Sequence, residues 1–395
     1  MTDEDTAVWV DGVRFTESMA ATRDVVKSIT SKYDRRYWLT CVEEERHPYE
    51  LLEAVADAGL TGIGLSEELG GAGGGIREQA AMTEALGEAG LPQNYWSLGF
   101  YTRRLVERIG SPSQKEWFIK STLEGMPHTC MAITEGSSGT NAFAMRTFAR
   151  REDDRYVVNG EKMFISGAAD AKQMLLLAKT KEASEDNRAE LSLFLVNLEK
   201  TPGITMTPMR ITVLAPEKQY VVNFDDVELP LDALIGEEGK ASRAMFTVLN
   251  GERITSAANT VGNGRFVLTK GAEYARIRAP FGKPIGTYQS VQHMLAKPHV
   301  ALLGARRLVF DAAAQHDRGE DPSELTLAAK YAASESAFDA IDATVQVHGG
   351  SGFDLDSDVI TWLDVLRIRR IAPINNESAL SSIAESALGL PRSPR

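Results

Sequence analysis

The feature that most constrains this chain is a double change of hydrophobic period along its length. From about Ser18 to Leu123 apolar residues recur every three to four positions. In Tyr49 to Ala58 (YELLEAVADA), Leu51, Leu52 and Val55 share one helical face. From Thr129 the pattern becomes short alternating or apolar runs bounded by turn residues: RYVVNGEKMFIS, with an expected turn at Asn159-Gly160, then QMLLLAKT, LSLFLVNL and YVVNFDDVELP. After Gly239 long helical patterns return, and Gly, Pro and turn clusters near 279–286, 318–322 and 349–358 mark their ends. Side chains repeat every 3.6 residues on a helix and every two on a strand, so the three stretches need different architectures. The expectation is an α+β chain with an all-helical domain over 1–128, a β domain over 129–238 and a helical domain over 239–395. The polar stretch Lys181 to Glu190 reads as a solvated hairpin loop.

Composition narrows the function classes. A chain of 395 residues with 43% hydrophobic and 25% charged residues has the make-up of an ordinary soluble globular protein, and its length suits two or three domains. A net charge of -12 works against a broad phosphate-binding surface, so no nucleic-acid partner is expected, and any anionic ligand must be met by local Arg or Lys. The acidic N-terminus (MTDEDTAVWV) lacks a basic segment followed by an apolar one, and no run approaches a membrane span. Cys41 and Cys130 lie far apart in no metal or dithiol spacing and read as buried thiols. A cytoplasmic location without membrane contact is expected.

Several motifs can be set aside. Leu69 to Ile76 (LGGAGGGI) lacks both GxGxxG spacing and the Lys-Ser/Thr of a phosphate loop, so it reads as a turn. His47, His128, His293, His299, His316 and His348 form no HExxH pattern, and no GxSxG elbow offers a serine nucleophile. No metal site is expected.

Five stretches carry chemistry. In Met131 to Asn141 (MAITEGSSGTN) a strand ends in small residues and hydroxyls, which lets backbone N–H groups approach a flat polar ring. Lys162 to Gly167 (KMFISG) places an aromatic and a hydroxyl two residues apart. Asn223 to Gly239 (NFDDVELPLDALIGEEG) reads as a strand and turn leading into a helix bearing Leu249 to Arg253 (LNGER). In Arg278 to Gln289 (RAPFGKPIGTYQ), an arginine able to donate a planar fork of hydrogen bonds precedes Phe-Gly and a later Gln. Gln346 to Phe353 (QVHGGSGF) is a glycine turn that admits close backbone approach.

Together these stretches resemble the acyl-CoA dehydrogenase family along nearly the whole chain. The resemblance implies an N-terminal helical domain, a middle β-barrel or sandwich domain, a C-terminal four-helix bundle and bound FAD. It implies that Thr134 contacts the pyrimidine edge of the flavin and that Thr140 sits near the flavin and the thioester arm. Phe164, where the family more often has tryptophan, would lie against the flavin face, with Ser166 near its edge. Arg278 would bind the pyrophosphate and Phe281 the adenosine, with Gln289 in the same motif. Gln346, Gly349 and Gly350 would approach the diphosphate from a second subunit, so a homo-oligomer, dimer or tetramer, is expected.

The resemblance also implies α,β-dehydrogenation of an acyl thioester, in which a desolvated carboxylate removes the α proton and the β hydrogen leaves as hydride to flavin N5. Many members carry that glutamate in a late Ile-Tyr-Glu-Gly-Thr segment, but here Ile371 to Asn375 (IAPIN) puts Pro373 at the position. A smaller branch, resembling isovaleryl- and long-chain acyl-CoA dehydrogenases, carries the base before an arginine on the first long C-terminal helix. Glu252, preceding Arg253, occupies that place; Glu377 is a second candidate. Arg253 would fix the helix or bind the thioester arm. Proline has no N–H to hold a thioester carbonyl, so either the local alignment slips or the carbonyl contacts differ, with Ala372 able to supply an N–H after a small backbone shift and the flavin ribityl hydroxyl the other bond; Ile374-Asn375 imply altered contacts on the adenosine side. The expected substrate is an acyl-CoA and the expected acceptor an electron-transferring flavoprotein. Alternatives on the same fold are a dehydrogenase of carrier-protein-bound acyl groups, an oxidase, a flavin monooxygenase and a catalytically silent subunit.

Overall fold

A computed structural model describes residues 8–92, 95–123, 129–184, 188–213 and 215–392; His128 and the first seven residues of the acidic N-terminus lie outside the described residues. The chain opens with strands β1 (Val8–Val10) and β2 (Val13–Phe15). Helices α1 (Glu17–Thr30), α2 (Arg35–Glu43), α3 (Tyr49–Asp57), α4 (Ile76–Glu88), α5 (Tyr95–Ile109) and α6 (Pro112–Leu123) follow. Next come strands β3 (Thr129–Ala132), β4 (Phe148–Arg151), β5 (Arg155–Ser166), β6 (Gln173–Lys181), β7 (Glu190–Asn197), β8 (Ile204–Pro208), β9 (Gln219–Pro230) and β10 (Leu234–Ile235). The chain ends in helices α7 (Ala241–Phe246), α8 (Leu249–Ile277), α9 (Gln289–Asp317), α10 (Ser323–His348), α11 (Thr361–Ile368) and α12 (Asn376–Ser386). The stretch expected to be all-helical opens with the β1–β2 pair; after it, the helix, strand, helix order read from the periodicity is the order found. None of the helices, among the described residues, is long and apolar enough to cross a membrane.

Contacts divide the chain into two compact units, one of Met1–Thr40, Gly74–Ser97 and Asn250–Arg395, the other of Cys41–Gly73 and Leu98–Leu249. In the first unit, a buried carboxylate ties together segments far apart in sequence. Glu84 on α4 accepts from Arg306 of α9 at 2.5 and 3.0 Å and from Arg23 of α1 at 2.6 Å. Arg306 also donates to the carbonyls of Val10 and Asp11, anchoring the N-terminal hairpin, and its guanidinium lies over the rings of Phe15 and Phe310. That hairpin was absent from the sequence reading, although VWVDGVRF carries a signal for it. Asp11 and Gly12 both have positive φ (46° and 79°), as a two-residue hairpin turn requires.

Helices α4 and α8 cross backbone to backbone. A Cβ on Gly262 would lie 2.3 Å from the Glu84 carbonyl oxygen, and one on Gly87 would lie 2.5 Å from that of Asn259. Asn259 and Asn263 bridge the crossing, their amides donating to the carbonyls of Thr83, Gly87 and Leu91. This contact fixes where the N-terminal half of α8 lies.

The second unit is built on an eight-stranded sheet in the order β10-β7-β6-β4-β5-β9-β8, with β3 pairing parallel to β6. Its core gathers Tyr156, Val158, Ile165, Met174, Leu176, Phe194, Val222 and Phe224. Strands β6 and β7 pair antiparallel, as the hairpin reading of 181–190 expects. The expected Asn159-Gly160 turn is not a turn. β5 runs unbroken through it with a register shift between Val158 and Gly160. Asn159 exchanges hydrogen bonds with Asp226 on β9, and a Cβ on Gly160 would meet Thr147 Cα at 2.6 Å. The glycine answers a close backbone approach, which sequence spacing alone does not distinguish from a turn. Cys41 and Cys130 are buried free thiols, and burial pushes the Cys130 thiol up.

Arg306→Met is expected to cost about 3–5 kcal/mol because it strands a buried carboxylate. Gly262→Ala should cost about 1–3 kcal/mol by forcing the crossing apart. Urea unfolding of both variants checks these values.

Candidate active site

In the second unit the structure brings three of the sequence-selected residues onto one shelf. The Thr134 carbonyl accepts the Met163 N–H at 2.8 Å, which joins the end of the β3 segment to β5. β5 shifts register between Lys162 and Ile165, and the bulge carries Phe164 at φ 59°, leaving it 54% exposed although it is a large apolar side chain. A bulge re-aims a side chain in this way, and a non-glycine residue at positive φ is strained. Ser166, two residues on, has its Oγ 2.8 Å from the Gln219 Nε2 that donates to it. An exposed aromatic face bordered by a hydroxyl and a strand end suits a flat ring with polar edges. Thr140 lies farther along the turn and is exposed.

Beneath the shelf lies a buried pair that the sequence reading did not assign. Lys162 Nζ donates to Glu135 Oε1 at 2.9 Å and to the Ile133 carbonyl at 2.9 Å, and Glu135 also accepts the N–H groups of Arg146 and Thr147. Burial raises the Glu135 pKa, but these donors outweigh it and leave the carboxyl below its ordinary value. Burial brings Lys162 down to about 8, with Glu135 opposing. The pair braces the turn that carries Thr134 and Thr140. A charged residue at an inward position of a strand was the available signal.

In the first unit, Glu252 sits in the first turns of α8. Burial raises its carboxyl to about 7, with the Arg253 charge opposing. No hydrogen bond or ion pair reaches that carboxylate among the described residues, and its side chain is only partly covered. It is therefore a desolvated carboxyl with access to a ligand, unlike a glutamate paired on a helix surface. Glu377 instead lies exposed in the first turn of α12.

The segment around Pro373 corrects one expectation. The Ala372 N–H donates to the Ile368 carbonyl at 2.9 Å, closing the end of α11, so it is not aimed at a ligand. Asn375 caps α12, its Oδ1 accepting the Ser378 N–H at 2.7 Å, so it has a structural job in its own chain. The next residue, Asn376, bolts the segment to α10. Its Oδ1 accepts from Lys330 Nζ at 2.5 Å and Ser334 Oγ at 3.0 Å, and its Nδ2 donates to Glu335.

The remaining selected residues gather at the far end of the same helices. Arg278 and Phe281 lie on the loop after α8, which folds back so that the Ile285 N–H donates to the Arg278 carbonyl, and Gln289 opens α9. Gln346, Gly349 and Gly350 lie at the end of α10, with Gly349 at φ 58°. Tyr274 of α8 stacks on His348 of α10 at 4.2 Å, placing the two loops together. The Arg278 guanidinium makes no hydrogen bond or ion pair among the described residues, and Phe281 is 84% exposed. Twenty-five residues of helix separate Glu252 from Ile277, about 38 Å along α8. Within one chain, then, the structure keeps the carboxyl and the Arg278 loop at opposite ends.

Comparison with known proteins agrees with this architecture. Family models of the acyl-CoA dehydrogenase N-terminal, middle and C-terminal domains match residues 16–126, 130–227 and 241–388. The acyl-CoA dehydrogenase FadE12 of Mycobacterium tuberculosis is 34% identical over 380 residues, covering 95% of this chain and 97% of its own. The butyryl-CoA dehydrogenase of Megasphaera elsdenii superposes with a TM-score of 0.87 at 25% identity, over 96% of this chain and 100% of that one. An FAD complex of PigA gives 0.87 at 25% identity, over 96% and 99%. The chain belongs to the acyl-CoA dehydrogenase family. That membership makes it a flavin-dependent oxidoreductase with FAD as cofactor.

Lys162→Met leaves the Glu135 carboxylate buried without its cation and is expected to destabilise the protein by about 3 kcal/mol or more. Adding Glu135→Gln should recover part of the loss. Thermal unfolding of the single and double variants reads both effects.

Proposed function

We propose that this protein converts an acyl-CoA thioester to the trans-2-enoyl thioester, with Glu252 as the base that removes the α proton. The observation that carries the reading is the state of Glu252. Burial holds its carboxyl near 7, so at neutral pH it exists in both forms and is a stronger base than an ordinary carboxylate. Bound FAD would supply the hydride acceptor. Thr134, Phe164 and Ser166 would hold its ring, with Thr140 near the thioester arm, and Arg253 would keep the proton-accepting carboxylate favourable. With Ala372 committed to its helix and Pro373 lacking an N–H, the segment 371–375 would border the site without donating to the thioester carbonyl through either residue.

The dinucleotide half of the cofactor would be held by Arg278, Phe281, Gln289, Gln346, Gly349 and Gly350. Because these lie about 38 Å from Glu252 along α8, a dinucleotide does not reach both in one chain, and each site would borrow them from a second copy. Exposed apolar side chains along this part of the surface, Ile277, Phe281, Val300, Leu303, Phe353 and Leu355, support burial in such an assembly, a homodimer or homotetramer. An electron-transferring flavoprotein would take the electrons, and two buried free thiols fit a cytoplasmic setting.

Glu252→Gln tests the reading. With FAD retained, anaerobic bleaching of the flavin by acyl-CoA should slow by at least about a hundredfold. Bleaching at the native rate would remove Glu252 from the role. In the native enzyme kcat/KM should rise with pH to a plateau above about 7, since the base acts deprotonated, and the variant should lack this limb. The stability sign is opposite. The folded pKa lies above the unfolded value of 4.5, so the unfolded chain releases the proton first and native stability falls as pH rises from there to about 7. That fall should be absent in Glu252→Gln, measured as Tm against pH.

A further inference from the structure

We propose that Gln219 is the positioning residue for the Ser166 hydroxyl: its buried amide holds the serine oxygen in place and leaves the serine proton free to donate to the flavin edge. The inference rests on the reading of Ser166 as a flavin contact. Ser166 and Gln219 face each other across the end of the β5–β9 pair. The preceding pair, Ile165 and Tyr220, points into the core of the second unit, so Ser166 and Gln219 point to the other face of the sheet. Phe164, turned outward by the bulge, lies two residues before Ser166 on the same strand. Ser166 is half-buried, whereas Gln219 is only 2% exposed. The hydroxyl therefore stands between the shelf and a sealed amide.

That amide has one correspondent among the described residues. Gln219 Nε2 donates to Ser166 Oγ at 2.8 Å, and Ser166 Oγ lies 3.0 Å from Gln219 Oε1, to which it can donate. A hydroxyl has one proton and two lone pairs, so an oxygen that accepts from Nε2 can turn its proton inward to Oε1 or outward to a ligand. An acceptor arriving on the shelf draws the proton outward while the Nε2 contact keeps Oγ where it is. The inner bond also polarises the hydroxyl and makes it the better donor. A carboxylate at this position accepts only and would pull the serine proton inward; an amide leaves both settings open. Strand pairing does not require the amide. The Gly167 N–H donates to the Lys218 carbonyl at 2.9 Å and the Met209 N–H to the Gln219 carbonyl at 2.7 Å, so the backbone already ties this end of the sheet. Burying a primary amide is costly where an apolar side chain would serve the strand, and its partner here is the hydroxyl of the shelf.

The test uses FAD-loaded protein carrying Gln219→Leu, Gln219→Met, Ser166→Ala or the Gln219→Met/Ser166→Ala pair. Two quantities are read: the visible absorption band of the oxidised flavin without substrate, and anaerobic bleaching against acyl-CoA concentration. Gln219→Met is expected to shift the band in the same direction as Ser166→Ala. It should slow bleaching at saturation by about tenfold, with the half-saturating concentration unchanged. The pair should be no worse than Ser166→Ala alone, because Gln219 acts through that hydroxyl. Native band and rate in both Gln219 variants, with Ser166→Ala altered, overturns the proposal. So do losses that add in the pair, and so does a fall in Tm or FAD content in both Gln219 variants, the mark of a structural amide. Native behaviour in Ser166→Ala removes Ser166 from the flavin edge, so that the underlying reading fails first and the role of Gln219 with it. The band without substrate reports on both residues whatever base removes the α proton.

Discussion

The Glu84 carboxylate, sealed between Arg23 and Arg306, is the contact on which the first unit depends. It joins α1, α4 and α9, and through Arg306 it reaches the N-terminal hairpin. Glu84 and Arg306 are fully buried, so the charges persist only because each satisfies the other and the backbone carbonyls supply the remaining acceptors. The same stretch of α4 lies against α8 at Gly87 and Gly262, where no Cβ fits. Ion pair and helix crossing together set α8 in place, and α8 carries the candidate base.

Helix α8 then acts as a ruler. Its N-terminal turns hold a desolvated carboxyl, its middle holds the amides that bridge the crossing with α4, and its end delivers the Arg278 loop beside the glycine turn of α10. A rigid helix fixes these spacings without further machinery. In the second unit a β-bulge does comparable work on a smaller scale, turning Phe164 outward next to Ser166 while the Lys162–Glu135 pair braces the turn beside it. Each device charges its cost elsewhere: positive φ at Phe164, burial of ions at Lys162 and Glu135.

Much of this was legible in the residues. The α, β, α order follows from hydrophobic period, and the family resemblance follows from motifs such as RAPFGKPIGTYQ and QVHGGSGF. Glu252 was legible as a glutamate before an arginine, though not as a carboxyl without a paired partner. Other features were hidden. Asn159-Gly160 reads as a turn but serves a continuous strand. Ala372 reads as an available donor but closes a helix. Lys162, Asn259 and Gln219 are polar residues whose significance lies in being buried, which no local pattern records.

Apart from the N-terminal hairpin and the Asn159-Gly160 turn, the sequence by itself determined the element types, their order and the family, because period, turn chemistry and motif spacing are local properties of the chain. Only the tertiary structure decided which polar groups lose water. Burial, and with it the raised carboxyl of Glu252, the lowered amine of Lys162 and the sealing of Gln219 against Ser166, depends on segments that meet from distant parts of the chain. Desolvation is a property of the packed surroundings, so residues identical in sequence can be inert on one helix face and reactive on another.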